Sequence, residues 1–245
     1  MTLAPITENW TRALAVVAHP DDLEYGAASA VARWTRTGHS VTYVIVTDGE
    51  AGIDGIPPVE AAVLRQKEQL ISAAVVGVDD VTFLHHADGV VEYGPALRRD
   101  IARHVRRTRP EILLTASPAL TVGMGHGRRF LNQADHRAVG NAVLDAARDA
   151  ANRWIFPELL DDGLEPWAGT TDVYLMGADQ PEHGVDVTDD LAAGVASLRA
   201  HRAYLDGLGR DFDPDRFLRG VTAHAGRALG VPNAVALGRV RLQGV

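Results

Sequence analysis

A chain of 245 residues, 46% apolar and 23% charged, has enough apolar material for one sizeable core, which excludes a disordered or disulfide-stapled peptide. With no cysteine and ten histidines, thiolate nucleophiles, disulfides and thiolate metal sites are impossible; any metal must be held by imidazole, carboxylate or backbone oxygen. The balance of 24 basic against 32 acidic residues, net charge −8, argues against broad attraction to nucleic acid or an anionic membrane.

Met1 to Trp10 carries Glu8 and no Lys or Arg, so the positive region of a secretory signal is missing. The apolar stretch Ala13 to Ala18 is far short of the ~20 residues a membrane-spanning helix needs. A cytoplasmic protein with no membrane span is the expectation. Leu14 to Ala18 reads as a strand, Ala27 to Thr37 as a helix stopped by Gly38, and Val41 to Thr47 as a second strand. A helix from about Val59 to Val76, stopped by Gly77, leads to a strand at Val81 to Leu84. The segment Pro95 to Thr108 has Arg98, Arg99, Arg103, Arg106 and Arg107 interleaved with Leu97, Ile101 and Val105; this is a helix with one apolar face, not a nucleic-acid patch, since no aromatic platform accompanies it. A strand at Ile112 to Thr115 follows Pro110. Ser117 to Asn132 shows neither period and reads as a long functional loop. A helix from Asp135 to Ala151, a strand Asp172 to Met176, a helix near Thr188 to Leu205 with Thr188 as N-cap, and a looser tail complete the chain. Alternating strands and helices with continuously apolar strands predict an α/β fold: a mostly parallel sheet with helices on both faces.

Parallel strands end on one edge of the sheet, and ligands bind there where the strand order reverses. That edge collects His19-Pro20-Asp21-Asp22, Asp48-Gly49-Glu50, His85-His86-Ala87-Asp88-Gly89 and Asp135-His136. His19 and Asp22 stand three apart at a bend, so both can turn toward one cation, while Asp21 between them points elsewhere. One carboxylate is then a ligand and the other is free. His136, at a helix start, is the best third ligand for a zinc ion that keeps an open position for water. The competing reading is a solvated turn with an acidic helix cap.

The run Ala18-His19-Pro20-Asp21-Asp22-Leu23-Glu24-Tyr25-Gly26, with Thr47-Asp48-Gly49-Glu50-Ala51-Gly52, closely resembles the start of the PIG-L (LmbE-like) zinc de-N-acetylases. The resemblance continues through Leu64-Arg65-Gln66-Lys67-Glu68, Val81-Thr82-Phe83-Leu84 with Asp88-Gly89, and Ala134-Asp135-His136-Arg137-Ala138-Val139-Gly140. It implies a Rossmann-like single domain over 1–245, with 1–150 the core and 151–245 a less regular C-terminal part. It implies hydrolysis of an N-acetyl amide on a glucosamine unit, zinc on His19, Asp22 and His136, and Asp21 as general base. The partner is then a small amino-sugar molecule; the oligomeric state is open.

Two positions depart from the family pattern. Gln133 replaces the histidine that the family uses near the oxyanion, so the donor is Gln133 or one of His126, His85, His86 and His201. Leu23 stands where many members carry an acid. Arg65 matches a substrate-contacting arginine, but an exposed ion pair with Glu68 is the alternative. Asp135 orients a ligand imidazole or only caps a helix. Asp48 and Asp88 either face substrate or only form turns. Gly123-Met124-Gly125-His126-Gly127 is not in a strand-to-helix turn, and no Gly-x-x-x-x-Gly-Lys or Gly-x-Ser-x-Gly run exists, which disfavours nicotinamide, P-loop and serine-nucleophile chemistry. The alternatives are an amidase that cleaves a larger acyl group from a thiol or secondary-metabolite conjugate, and a non-catalytic metal-containing carbohydrate-binding protein.

Overall fold

The computed structural model describes residues 2–123, 129–209 and 211–242. A short β1 (Ala4–Pro5) precedes β2 (Arg12–Val17), which leads through α1 (Asp22–Gly26) and α2 (Ala28–Arg36) to β3 (Ser40–Thr47). The helix α3 (Pro58–Val75) delivers β4 (Val81–His86), and α4 (Pro95–Thr108) delivers β5 (Ile112–Ala116). A two-stranded antiparallel ribbon, β6 (Thr121–Gly123) and β7 (Arg129–Leu131), leads into α5 (Ala134–Asp149). Then come α6 (Glu158–Asp161), β8 (Asp172–Met176), β9 (His183–Asp186), α7 (Leu191–Arg199), α8 (Arg202–Gly207), α9 (Pro214–Leu229) and β10 (Ala234–Arg241).

The eight-stranded sheet runs β1-β9-β10-β8-β5-β2-β3-β4. The segment β8-β5-β2-β3-β4 is parallel throughout. Alternation along β2 sends Ala13, Ala15 and Val17 into one apolar cluster and Leu14 and Val16 into the other. Helices α2 and α3 cover the first face through Val31, Trp34 and Ala73. Helices α4 and α5 cover the second through Leu97, Ile101, Val139 and Val143. Both faces of the parallel segment are therefore buried, as its continuous apolar strands require. The chain leaves β2 toward β3 on one side and returns to pair β5 on the other, so the strand order reverses beside the end of β2. His19 follows directly.

Four expectations are corrected. The segment Ser117 to Asn132 is not an irregular loop alone, because it contains the β6–β7 ribbon; Gly123, Gly125 and Gly127 hide the strand pattern, and residues 124–128, His126 among them, lie outside the described residues. The helix expected over Thr188 to Leu205 is two helices that part at Ala200 and His201. Its N-cap position is Asp190 rather than Thr188, whose hydroxyl donates to Asp186 at 2.6 Å. The looser tail holds α9 and β10, and β10 pairs antiparallel with both β8 and β9. Its Ala-Val-Ala-Leu-Gly core has weak intrinsic strand preference, and pairing decides its conformation.

Gly140 sets the placement of α5. A Cβ there would stand 2.6 Å from the Ala116 carbonyl oxygen and 3.1 Å from the Pro118 nitrogen, so the helix presses on backbone that leaves β5. Gly140→Ala would gain about 1 kcal/mol in helix propensity, yet it overpacks unyielding backbone, which costs about 1–3 kcal/mol. The clash wins. Thermal melting of the variant is expected a few degrees below wild type (roughly 2–4 °C per kcal/mol at this size); an unchanged or higher Tm would refute the close approach.

Candidate metal centre

The bend after β2 brings its side chains together by backbone geometry. Asp21 has φ +89°, a left-handed conformation that Asp tolerates better than most residues. Its N–H donates to Gln69 Oε1 at 2.9 Å. Asp22 opens α1, and its Oδ2 accepts the His19 backbone N–H at 2.9 Å. Across the strand-order reversal, α5 presents Asp135 and His136 from its first turn.

His136 Nε2 lies 3.0 Å from Asp22 Oδ1, and His19 Nδ1 lies 3.6 Å from Asp22 Oδ2. The two imidazole rings are 5.2 Å apart between centroids. One ligating atom from each of His19, Asp22 and His136 falls within 4.8 Å of the others. A second grouping, His19 with Asp88 and Asp135, meets the same measure. Hydrogen bonding separates the two. Asp135 accepts the N–H of Gly89 at 2.7 Å and of Val91 at 3.1 Å, and Asp88 accepts the N–H of Ala51 at 2.9 Å. Both then accept from His19 Nε2, at 3.1 Å for Asp88 and 3.3 Å for Asp135. An ionised carboxylate can only accept, so Nε2 carries a proton and Nδ1 is the nitrogen left for a cation beside Asp22. Asp88 and Asp135 hold the His19 ring as carboxylates commonly hold metal-binding histidines.

The charges fit a divalent ion. Burial opposes protonation of His19, but Asp22, Asp135 and Asp88 outweigh it and push the imidazole up to about 12. Burial likewise opposes charge on His136, and Asp22 overcomes it to raise that imidazole. Burial would lift the Asp22 carboxyl, yet His136 and His19 hold it well below the ordinary carboxylate range. Two imidazolium protons thus surround one carboxylate, in the places where a cation of charge +2 would be bound by imidazole and carboxylate.

Asp21 stands apart from these ligands. Its Oδ2 accepts from Arg65 Nη2 at 3.0 Å. Arg65 is buried; it also donates to the carbonyl oxygens of Pro20 and Gly49, and the Tyr204 ring covers it at 4.2 Å. The exposed ion pair with Glu68 does not form: Glu68 accepts the Ala203 N–H at the start of α8. A Cβ at Gly49 or Gly52 would come within 2.7 or 2.2 Å of Arg65 Nη1, which explains both glycines of the Thr-Asp-Gly-Glu-Ala-Gly run. Burial raises the Asp21 carboxyl to about 7 against the opposing pull of Arg65.

The remaining expected residues divide. Asp48 faces His85 and Gln66, at 2.9 and 2.8 Å, and makes no contact with the ligand cluster. His86 pairs with Asp100 at 3.2 Å, and His201 is fully buried, 3.7 Å from Glu24. His85 and His86 are thus paired elsewhere, whereas neither ring nitrogen of His201 has a hydrogen-bond partner among the described residues, and its charge acts on Asp21 as well as Glu24. Gln133 occupies the N-cap position of α5 with an exposed side chain that makes no cap bond. Asp135 is no cap; its oxygens meet the Gly89 and Val91 N–H groups and His19 Nε2.

Sequence reasoning missed Gln69, Asn132 and Tyr204. The sequence offers for Gln69 only the helical spacing of Arg65, Glu68, Gln69 and Ser72; the structure shows that this polar face is the buried one. Gln69 Nε2 and the Ser72 hydroxyl both donate to Glu24 Oε1, at 3.0 and 2.6 Å. The amide orientation that receives the Asp21 N–H is thereby fixed.

A family model described as PIG-L, GlcNAc-PI de-N-acetylase, matches residues 14–147. A diacetylchitobiose deacetylase from Thermococcus kodakarensis is 27% identical over 222 residues, 89% of this chain and 79% of the relative. Among solved structures, N,N'-diacetylchitobiose deacetylase from Pyrococcus horikoshii superposes with a TM-score of 0.84 at 24% identity, covering 95% of this chain and 85% of that one. GalB, the 4-carboxy-2-hydroxymuconate hydratase from Pseudomonas putida, superposes at 0.75 with 19% identity, covering 96% and 98%. One fold thus carries a deacetylase and a hydratase, and the reaction must be argued from the site.

Proposed function

Because the chain belongs to the PIG-L family of GlcNAc-PI de-N-acetylases, we propose that it is a zinc-dependent hydrolase that removes the N-acetyl group from an amino sugar. His19, Asp22 and His136 hold the zinc. Asp21 is the general base. The observation that carries this reading is a buried carboxylate beside three converging side chains, paired with Arg65 rather than with that set, on a residue whose main-chain N–H is anchored to Gln69. A site that only stores a cation has no use for it.

Zinc supplies a Lewis acid for the amide carbonyl and a water acidic enough to ionise near pH 7. Asp21 accepts a proton from the attacking water on a carboxylate oxygen and passes it to the amide nitrogen as the C–N bond breaks, so acetate and a free amine leave. Arg65 and the Gln69 contact keep Asp21 in place between the two transfers. Gln133, exposed at the start of α5, stands where the family's oxyanion histidine does; its amide can donate an N–H there but, unlike histidine, cannot also titrate.

The test is release of primary amine and acetate in equal amounts from N,N'-diacetylchitobiose and other N-acetylglucosaminyl compounds by the zinc-loaded chain. Turnover is expected to depend on added zinc and to stop with a chelator. A zinc-loaded chain that frees amine from none of them, but cleaves conjugates with larger acyl groups, would replace this reading by the amidase one.

A further inference from the structure

Asn132 closes the β6–β7 ribbon and precedes α5 by two residues. It is buried. Its backbone N–H donates to the Leu120 carbonyl at 2.9 Å. Its side-chain Nδ2 donates to two backbone carbonyls, Ser117 at 2.7 Å and Ala119 at 3.0 Å. Two acceptors leave one orientation for the amide, because a reversed amide would set its oxygen against both carbonyls. The Asn132 Oδ1 therefore faces His136 Nδ1, 3.1 Å away, and Nδ1 must be the protonated nitrogen there. Only Nε2, which faces Asp22, is left for a cation.

We propose that Asn132 is a positioning residue for the metal centre: it sets the ring orientation and tautomer of His136 and ties that ligand to the root of the ribbon. The inference rests on the reading of His136 as a zinc ligand. Asp88 and Asp135 perform the same service for His19, so each imidazole ligand has its distal nitrogen committed to an acceptor. The two acceptors differ in kind. A neutral amide leaves His136 less electron-rich than the two carboxylates leave His19, and it links the ligand to the ribbon, whose Leu120 and Leu131 are exposed. A displacement of the ribbon would move the Ser117 and Ala119 carbonyls, then the Asn132 amide, then His136.

The experiment measures zinc affinity by chelator competition on the full chain, for wild type, Asn132→Ala and His136→Ala, with melting of the zinc-free proteins as a folding control. Asn132→Ala is expected to bind zinc 10- to 100-fold more weakly, the ordinary penalty for losing such a partner. Its zinc-free form is expected to melt cooperatively but a few degrees below wild type, because the buried Ser117 and Ala119 carbonyls lose their donor, so zinc affinity is compared well below both melting temperatures. A second measurement uses wild type alone: histidine nitrogen NMR of the zinc-loaded chain is expected to show His136 protonated at Nδ1 and metal-bound at Nε2. Equal zinc affinity in Asn132→Ala and wild type, or a His136 proton on Nε2, would overturn the inference and leave the zinc site standing. A wild-type chain that takes up no zinc would overturn the metal reading itself, and this inference with it.

Discussion

Asp21→Asn is expected to keep a full complement of zinc and to lose between about 10²- and 10⁴-fold in kcat, the usual contribution of a positioned acid–base group. The substitution suits the site. Asn adopts the left-handed backbone that Asp21 holds at φ +89° more readily than most residues. Its main-chain N–H still reaches Gln69, and its amide oxygen can face Arg65 as the carboxylate does. The amide cannot take up a proton near neutral pH, so the loss falls on the transfer step and not on the architecture. Zinc counted by elemental mass spectrometry beside steady-state turnover separates the two effects. Retained turnover would remove Asp21 from the base role; loss of zinc together with turnover would place Asp21 in the ligand set. The pH dependence has a definite sign. Burial raises Asp21 to about 7 in the metal-free site, and a cation nearby lowers it. Since the base must be ionised to act, kcat/KM of wild type should fall as pH drops below a value at or under about 7. The residual rate of Asp21→Asn should lack that acid limb.

The parallel core was legible because β2, β3 and β5 are continuously apolar and buried on both faces, a pattern an irregular segment rarely shows. The convergence of the candidate residues was legible for the same reason: they sit directly after those strands, and a parallel sheet brings its strand ends to one edge. What the sequence hides is direction. The helix α3 has a clear helical pattern, yet Val59 and Val63 are 81% and 67% exposed while Arg65, Glu68, Gln69 and Ser72 are buried. An amphipathicity argument buries the wrong face, because the polar residues are drawn inward by Asp21 and Glu24. The spacing of Arg65 and Glu68 alone reads as a surface ion pair beside the family's substrate contact. Asp135 illustrates a related difficulty: an acid in the first turn of a helix reads equally well as a cap, and only the strand-to-helix crossing shows that its oxygens meet Gly89, Val91 and His19 instead. Asn132 carried only one local signal, its position four residues before His136. Its importance comes from the Ser117 and Ala119 carbonyls, 15 and 13 residues upstream.

His136→Ala is expected to reduce bound zinc from near one per chain to a small fraction, and to abolish the stabilisation that zinc confers. A ligand that binds only the folded state at 1,000 times its Kd stabilises by about 4 kcal/mol, so added zinc should raise the Tm of wild type clearly and that of the variant scarcely. The variant also decides between the two groupings that converge on His19. It removes one member of the His19, Asp22, His136 set and leaves His19, Asp88 and Asp135 untouched. Zinc retained in His136→Ala but lost in Asp135→Asn would move the ion to the other side of the His19 ring. The hydrogen bonds argue against that outcome, since Asp135 already accepts two backbone N–H groups and Asp88 a third, and a cation there would have to displace the Nε2 proton they share. Proton linkage supplies an independent check. In the metal-free site both His19 and His136 have raised pKa values, so zinc must displace protons to bind, and its affinity should weaken as pH falls. A pH-independent affinity would mean that neither imidazole is a ligand. Equal zinc in wild type and His136→Ala would dismantle the proposed centre and, with it, the role given to Asp21.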